Sequence, residues 1–284
     1  MACTVVKGVR YFKPKLSNKN AAMLTYNDYL KVDDLLELQA PRSEPEEHDE
    51  LLFIIIHQTY ELWFKQLRHE LNFLMERLEE NDVPRAFHTL KRVLKIFKTL
   101  VSQVDILETM TPLEFESFRS RLDTASGFQS YQFRVVEFML GYKRPQPISV
   151  QPEGSVGREL LETAYASPSL WLIFLRNLKR AGYTIPDEVL AADLTAATEP
   201  NDAVQDALLA VYQNDHQLSE LCELLVDLDE GLQEWRYRHV KMVQRTIGTK
   251  GGSGGSSGAE YLIKTLFKPV FPDLWDIRAR IGVA

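Results

Sequence analysis

Two histidines stand where the chain is otherwise apolar. His57 lies inside the segment 51–64, the most apolar stretch of the sequence, and His239 ends a regular stripe of leucines. Histidine titrates near neutral pH and is the commonest metal ligand in proteins. Because burying an unpaired imidazole is costly, each is expected either to do chemistry or to hydrogen-bond within the core.

The neighbours of each histidine indicate what that chemistry would be. Phe53 precedes His57 by one helical turn, which suits a planar substrate that stacks on an apolar wall and carries one N–H. His239, flanked by Arg236 and Arg238, fits an axial ligand of haem with arginines near the propionates. Spacing alone leaves open the simpler alternative, two core histidines bonded to backbone.

A non-haem iron site is the rival metal hypothesis. His57 and Glu61 are one turn apart on one helical face, and His69 follows on the same predicted helix. Two histidines and a carboxylate are a common iron set. His69, however, would lie about 120° around the helix and roughly 18 Å along it from His57. That separation disfavours a shared ion.

Arg119 and a glycine-rich segment are further candidates. Arg119 lies on a predicted helix that also carries Phe115, Phe118 and Leu122. A buried arginine there would bind a carboxylate through two hydrogen bonds, although a solvated arginine is the commoner case. The segment 248–258 lacks the P-loop phosphate pattern, so it is either a linker or a lid in which Ser253 supplies a hydroxyl.

The segments that contain these residues show the spacing of apolar residues that is typical of helices. Apolar residues recur every three or four positions from His48 to Glu80 and from Pro84 to Thr109, which predicts a helical hairpin. The run Thr111-Pro112-Leu113-Glu114 has the capping-box form of a helix start. Further helices are predicted over 128–140, 158–165, 169–181, from 202 through His239, 261–267 and 272–281. No alternating strand pattern competes, so the predicted fold class is all-α.

Composition excludes several function classes. The chain has 284 residues and a net charge of -7 with mixed signs, which argues against a nucleic-acid partner. Cys3 and Cys222 are the only cysteines, so no disulfide framework or cysteine metal site is expected. No run is apolar enough for a membrane span or a signal peptide, and we expect a cytoplasmic protein without a membrane partner.

Four motifs, in order along the chain, resemble the tryptophan 2,3-dioxygenase family. They are FIIIHQTYELWFK at 53–65, SGFQS at 126–130, WRYRH at 235–239 and GGSGG at 251–255. The similarity covers most of the chain and is weakest over 144–201. It implies a single large all-helical domain around a haem pocket, in a homotetramer that uses haem b and O2 to open the indole ring of L-tryptophan to N-formyl-L-kynurenine.

The resemblance also implies roles for individual residues. His239 matches the proximal haem ligand, His57 the distal histidine that hydrogen-bonds the indole N–H, and Arg119 the partner of the substrate carboxylate. Phe53, Phe115 and Leu122 match pocket walls, Ser126 and Gly127 match a turn close to the haem, and Tyr26, Tyr29 and Leu30 match a segment that enters the neighbouring subunit's site.

Departures from the family pattern and domain limits complete the expectations. Ser253 stands where the family usually has threonine in a GTGG sequence, and serine keeps the hydroxyl but loses a methyl group that restricts the rotamer. We expect 1–20 to be mobile, 21–284 to form the haem-dioxygenase domain, and 21–45 to contact a neighbouring subunit.

Two alternative functions stay open on the sequence. One is a related haem enzyme that inserts a single oxygen into a tryptophan derivative, such as a β-methylated one, and leaves an oxindole. The other is a haem sensor without turnover.

Overall fold

The computed structural model describes residues 23–252 and 259–282, and all regular secondary structure within these ranges is helical. The predicted all-α class is confirmed. None of the described helices is both long and apolar enough to cross a bilayer. The chain divides into two units between Ala40 and Pro41.

The helices vary widely in length, from single turns to two rods of 32 residues each. In chain order they are α1 Tyr26–Leu30, α2 Val32–Leu36, α3 His48–Glu79, α4 Val83–Leu107, α5 Pro112–Arg119, α6 Tyr131–Met139, α7 Gln146–Ser149, α8 Val156–Tyr165, α9 Leu170–Arg180, α10 Asp187–Leu190, α11 Asp202–Asn214, α12 His216–Ile247, α13 Ala259–Ile263 and α14 Pro272–Asp276, with 3-10 turns at Ser120–Leu122, Gly127–Gln129 and Ile277–Ala279.

Helices α3, α4 and α12 form the frame of the second unit. The α3 and α4 rods pack as the predicted hairpin, α12 packs along α4, and α6 and α9 pack against α3. Leucines spaced along α3, among them Leu67, Leu71 and Leu74, are fully buried in the main core. Burying each such side chain contributes on the order of 2 kcal/mol, which fixes how the helices that carry the histidines face one another.

The outward face of α3 departs from the prediction. The N-terminal half of this helix is apolar nearly all round, which predicts complete burial. In the single chain Leu51, Ile55 and Leu62 are instead exposed, while Ile56 and Phe64 are buried. The helix therefore has one core-facing stripe, and the expectation of burial all round is wrong for the isolated chain.

The long C-terminal helical pattern is broken once. The leucine spacing runs on from 202 to His239, yet α11 ends at Asn214 and α12 begins at His216. Between them Asp215 has an extended backbone (φ -137°, ψ 99°), and its carboxylate accepts the Leu218 amide at 2.9 Å. An N-cap of this kind typically stabilises a helix by about 1 kcal/mol, so the break gives α12 its own start.

A buried carboxylate fastens the C-terminal segment to α12. Asp229 accepts hydrogen bonds from the amides of Val270 and Phe271, both at 2.9 Å, and from the Trp275 indole at 3.1 Å. Burial raises the pKa of Asp229 despite these donors. The bonds hold the chain that follows α13 against the helix that carries His239.

The described part of the first unit contains two short helices, α1 and α2. Thr25 caps α1 by accepting the Asp28 amide at 3.2 Å, and Lys31 joins α1 to α2 in the left-handed conformation (φ 55°). Among the described residues of this unit, most large apolar side chains, Tyr26 and Tyr29 among them, are exposed.

Candidate functional site

A cavity of about 240 Å³ in the second unit collects most of the predicted site residues. Its walls come from α3, α4, α5, α6 and α12, from the turn after α5, and from residues near α13. The predicted residues that line it are Phe53, His57, Phe115, Arg119, Leu122, Ser126, Gly127 and His239. Tyr26, Tyr29 and Leu30 belong to the first unit, and Ser253 lies outside the described residues.

The His57 ring is oriented by its own helix. Its Nδ1 lies 2.7 Å from the carbonyl oxygen of Phe53. Because a carbonyl can only accept, Nδ1 must donate, and the neutral ring then has an unprotonated Nε2. Burial lowers the pKa of His57, outweighing the Phe53 bond and the charge of Glu61, which both raise it. His57 thus presents a hydrogen-bond acceptor to the cavity.

His239 has a different environment. Its ring stacks on the Trp235 indole with centroids 5.2 Å apart and planes 9° from parallel. Within the described ranges, neither ring nitrogen has a hydrogen-bond partner. Burial, followed by the charges of His57 and Arg134, lowers the pKa of His239 to about 4. A neutral, desolvated imidazole with an unused lone pair is what a metal requires of a histidine ligand.

Phe53 and Phe115 form an aromatic wall of the cavity beside His57, and the fully buried Phe118 packs against both. The Phe53 ring lies 4.1 Å from the His57 ring, 5.7 Å from Phe115 and 5.5 Å from Phe118, all measured between centroids. Phe115 and Phe118 meet edge to face at 5.4 Å. This wall offers flat apolar surface to a planar ring, as the sequence predicted for Phe53.

Arg119 projects from the end of α5, whose start is fixed by the predicted capping box. Thr111 accepts the Glu114 amide at 3.3 Å, and Glu114 accepts the Thr111 amide at 2.7 Å. The Arg119 guanidinium donates to the Gly251 carbonyl at 2.7 Å and lies 3.5 Å from Glu116. Its side chain is 19% exposed, and a guanidinium has five N–H donors, so donors are left for a ligand.

The turn after α5 provides a smooth section of cavity wall. The Ser126 hydroxyl accepts the Phe128 amide at 3.3 Å, and this bond holds the 3-10 turn that Gly127 begins. A Cβ added at Gly127 would meet no atom within 4 Å. Glycine is therefore not required by the protein's own packing, and the space beside it belongs to the cavity.

A buried charge cluster also lines the cavity, and the sequence analysis missed most of it. The Glu137 carboxylate, on α6, pairs with Arg134 at 2.7 Å, Arg144 at 2.7 Å and Arg236 at 3.0 Å. Burial alone would raise the pKa of Glu137, but the three arginine charges outweigh it and lower the pKa to about 2. The i,i+3 spacing of Arg134 and Glu137 was the one available signal.

Two sequence hypotheses are not supported by the structure. His69 is exposed and does not line the cavity, and the described residues contain no group of three metal-ligating side chains, so the non-haem iron hypothesis has no site there. Arg238 also points elsewhere, since it pairs with Asp105 at 2.6 Å and Glu108 at 3.2 Å. Of the two arginines beside His239, only Arg236 reaches the cavity.

Comparisons with known proteins agree on one family. The family model described as tryptophan 2,3-dioxygenase matches residues 13–154 and 201–281. A tryptophan 2,3-dioxygenase of Herpetosiphon aurantiacus is 57% identical over 90% of this chain and 98% of its own length. Relatives with the same name from Anaeromyxobacter sp. and Xanthomonas campestris pv. campestris are 55% and 42% identical, over 92% and 98% of this chain and 98% and 95% of theirs. The chain therefore belongs to the tryptophan 2,3-dioxygenase family of oxidoreductases.

Proposed function

We propose that this protein opens the indole ring of L-tryptophan with O2, using haem b held by His239, and releases N-formyl-L-kynurenine. Both oxygen atoms enter the product, so the reaction balances without an external reductant. The proposal depends on two imidazoles that line the same apolar cavity. His57 has a ring nitrogen free to accept a hydrogen bond, and His239 makes no hydrogen bond within the described residues.

The residues present fit haem. No donor in the described part of the chain occupies the lone pair of His239, so this imidazole would hold the haem iron. Gly127 leaves a flat wall, where a side chain would intrude on a planar macrocycle. When bound, haem supplies the redox-active iron that activates O2. Ser126 acts by holding the turn that presents Gly127.

The same cavity suits the substrate. The carboxylate of L-tryptophan binds the Arg119 guanidinium, while Phe53, Phe115 and Leu122 enclose the indole. The indole N–H donates to Nε2 of His57. Because the pKa of His57 is lowered, the ring stays neutral at pH 7 and keeps this acceptor. His57 thus orients the C2–C3 bond and leaves the oxygen chemistry to the cofactor.

We also propose that residues 21–45 complete a neighbouring subunit's site in a homotetramer. Exposure supports this, since Tyr26, Tyr29 and Leu30 present large apolar surface in the single chain. Ser253 is proposed to bind the polar end of the substrate. The cytoplasmic location stays a prediction of the sequence.

Isotope labelling tests the function. Haem-loaded protein is mixed with L-tryptophan under ¹⁸O2, and the product is analysed by mass spectrometry. N-formylkynurenine with two labelled atoms is expected. An oxindole with one labelled atom would support single oxygen insertion instead, and a lasting oxygen complex without product would support the sensor.

Two histidine variants, one on each of the 32-residue helices, test whether His239 binds the haem iron. His239→Ala should lose stoichiometric haem, because it removes the proposed iron ligand, and the other histidine of the described cavity lining, His57, is held through Nδ1 on the Phe53 carbonyl. His69→Ala, which removes an exposed histidine, should retain haem in full. Full haem content with normal turnover in His239→Ala would refute the axial assignment.

A further inference from the structure

His239 has no hydrogen bond that orients its ring within the described part of the chain. The ring of a metal-binding histidine is usually oriented by a bond that its second nitrogen donates. His57 shows the contrast, since its Nδ1 is held by the Phe53 carbonyl at 2.7 Å. The orientation of the His239 ring therefore depends on the side chains that pack on it.

Trp235 packs flat on this ring. It precedes His239 by one turn of α12, and the two rings lie 9° from parallel with their centroids 5.2 Å apart. An imidazole that turned about its Cβ–Cγ bond would move into the space of the indole, and close-packed interiors do not tolerate such overlap. The indole of Trp235 therefore restricts the plane of the imidazole.

The indole is itself held by aromatic rings from two other helices. Phe64 and Tyr60 on α3 meet it edge to face at 6.1 and 6.4 Å, and Phe133 on α6 lies 4.5 Å away, all measured between centroids. The Tyr60 hydroxyl donates to the Leu100 carbonyl of α4 at 2.8 Å, which fixes this ring in turn. Trp235 is 8% exposed. Its position is thus set by the frame of the second unit.

Hydrogen bonding does not explain why a tryptophan occupies this position. Burial raises the pKa of Tyr60, and the nearby indole N–H of Trp235 lowers it, but the geometry of the two groups falls short of a hydrogen bond. The buried Nε1 has no hydrogen-bond partner among the described residues. An unpaired N–H costs free energy that phenylalanine or methionine would avoid. The feature that tryptophan supplies here is a large flat face.

We propose that Trp235 is a positioning residue for the iron ligand, because its indole fixes the plane of the His239 ring. This deepens the proposed function and rests on it, since His239 has to bind the haem iron. A ligand whose orientation is already fixed loses less conformational freedom on binding. Trp235 also lines the cavity, so a test has to separate its effect on His239 from its contact with the porphyrin.

The test compares haem with protoporphyrin IX, the same macrocycle without iron. Apoprotein is titrated with each porphyrin in the same detergent-containing buffer, and binding is followed by absorbance. The wild-type protein should prefer haem, because only haem can bond to His239. Trp235→Met fills much of the same space without a flat face and should reduce this preference by up to about tenfold, through weaker haem binding alone. Trp235→Phe keeps a smaller flat ring and should reduce it less.

Trp171 provides the matched control. It is 4% exposed and stacks on Phe271 at 5.5 Å, but it does not line the cavity. Trp171→Met should lower the melting temperature of the apoprotein and leave the preference for haem unchanged. The iron–imidazole stretch in the resonance Raman spectrum of the ferrous protein gives a second reading. Its band should broaden in both Trp235 variants and stay as it is in Trp171→Met.

The outcomes separate the two proposals. Equal affinity of the wild-type protein for both porphyrins would overturn the iron bond of His239 and with it the proposed function. A full preference for haem and an unchanged Raman band in Trp235→Phe and Trp235→Met would overturn the positioning role alone. Equal weakening of both porphyrins in Trp235→Met would also overturn it, because it would indicate contact with the macrocycle. If Trp235→Met does not fold, an unchanged band in Trp235→Phe is sufficient to overturn the role.

Discussion

Replacing Arg119 with leucine should abolish most of the protein's discrimination for the amino-acid carboxylate. The guanidinium is mostly buried, and its bonds to Gly251 and Glu116 leave donors for a bidentate contact. Two charged hydrogen bonds contribute about 1.5–3 kcal/mol each, and partial exposure reduces the sum to about 3–4 kcal/mol. Arg119→Leu should therefore weaken L-tryptophan binding by roughly 10²- to 10³-fold.

The assay uses tryptamine as the matched ligand, since it keeps the indole and the amine but lacks the carboxylate. Optical titration of the haem-loaded protein should show that Arg119→Leu binds tryptamine about as well as the wild type does, so that the preference for L-tryptophan disappears. Glu116→Gln is the control, because its pair with Arg119 is weak and its own side chain is 52% exposed. An unchanged preference in Arg119→Leu would remove the carboxylate clamp from the site.

Three further predictions concern other parts of the site and its frame. Gly127→Val should leave the apoprotein's melting temperature almost unchanged, because no atom lies within 4 Å of a Cβ there, but should reduce haem occupancy measured per chain. The pKa of Glu137 in the folded protein is about 2, below its usual 4.5. Its ionised form therefore contributes about 3 kcal/mol to the free energy of unfolding above pH 4.5, and this contribution is lost as the pH falls towards 2. Glu137→Gln should flatten that part of the apoprotein's stability curve in acid denaturation. Asp229→Asn should lower the free energy of unfolding, measured in urea, by about 2–3 kcal/mol, because a neutral amide oxygen accepts the three hydrogen bonds less strongly than a carboxylate does. Asp206→Asn, which removes an exposed ion pair, should lower it little.

Local chemistry explains what could be predicted from the sequence. The capping box at Thr111 and Glu114 depends on residues three positions apart, so the start of α5 was correct, and with it the position of Arg119. The contact between Phe53 and His57 likewise follows from the helical repeat. The limits of α3 agree with the apolar pattern to within one residue, and Asn81, in the left-handed conformation (φ 61°), turns the chain just after it.

The break at Asp215 and the Glu137 cluster were not predicted, because neither depends on the spacing of apolar residues along a helix. The break at Asp215 leaves the leucine spacing intact, because a cap changes the backbone without interrupting the apolar stripe. The Glu137 cluster joins α6 to the loop at Arg144 and to Arg236, which lies 99 residues further along the chain. Its charges lie within otherwise apolar or mixed segments, and only the tertiary fold, which brings Glu137 on α6 to Arg236 on α12, makes them one group.

The two imidazoles illustrate how the cavity itself sets the chemistry. His57 and His239 line the same largely apolar cavity as Arg134 and Arg236, so protonating either ring would add a positive charge near two arginines in a poorly hydrated region. Burial is the main reason that the pKa of His239 falls to about 4, and the charges of His57 and Arg134 lower it further. At pH 7 neither ring must lose a proton before it acts, because His239 already has a lone pair for a metal and His57 already has one for an N–H. An acidic residue placed beside His239 would raise that pKa and make a proton compete with a metal for the ring.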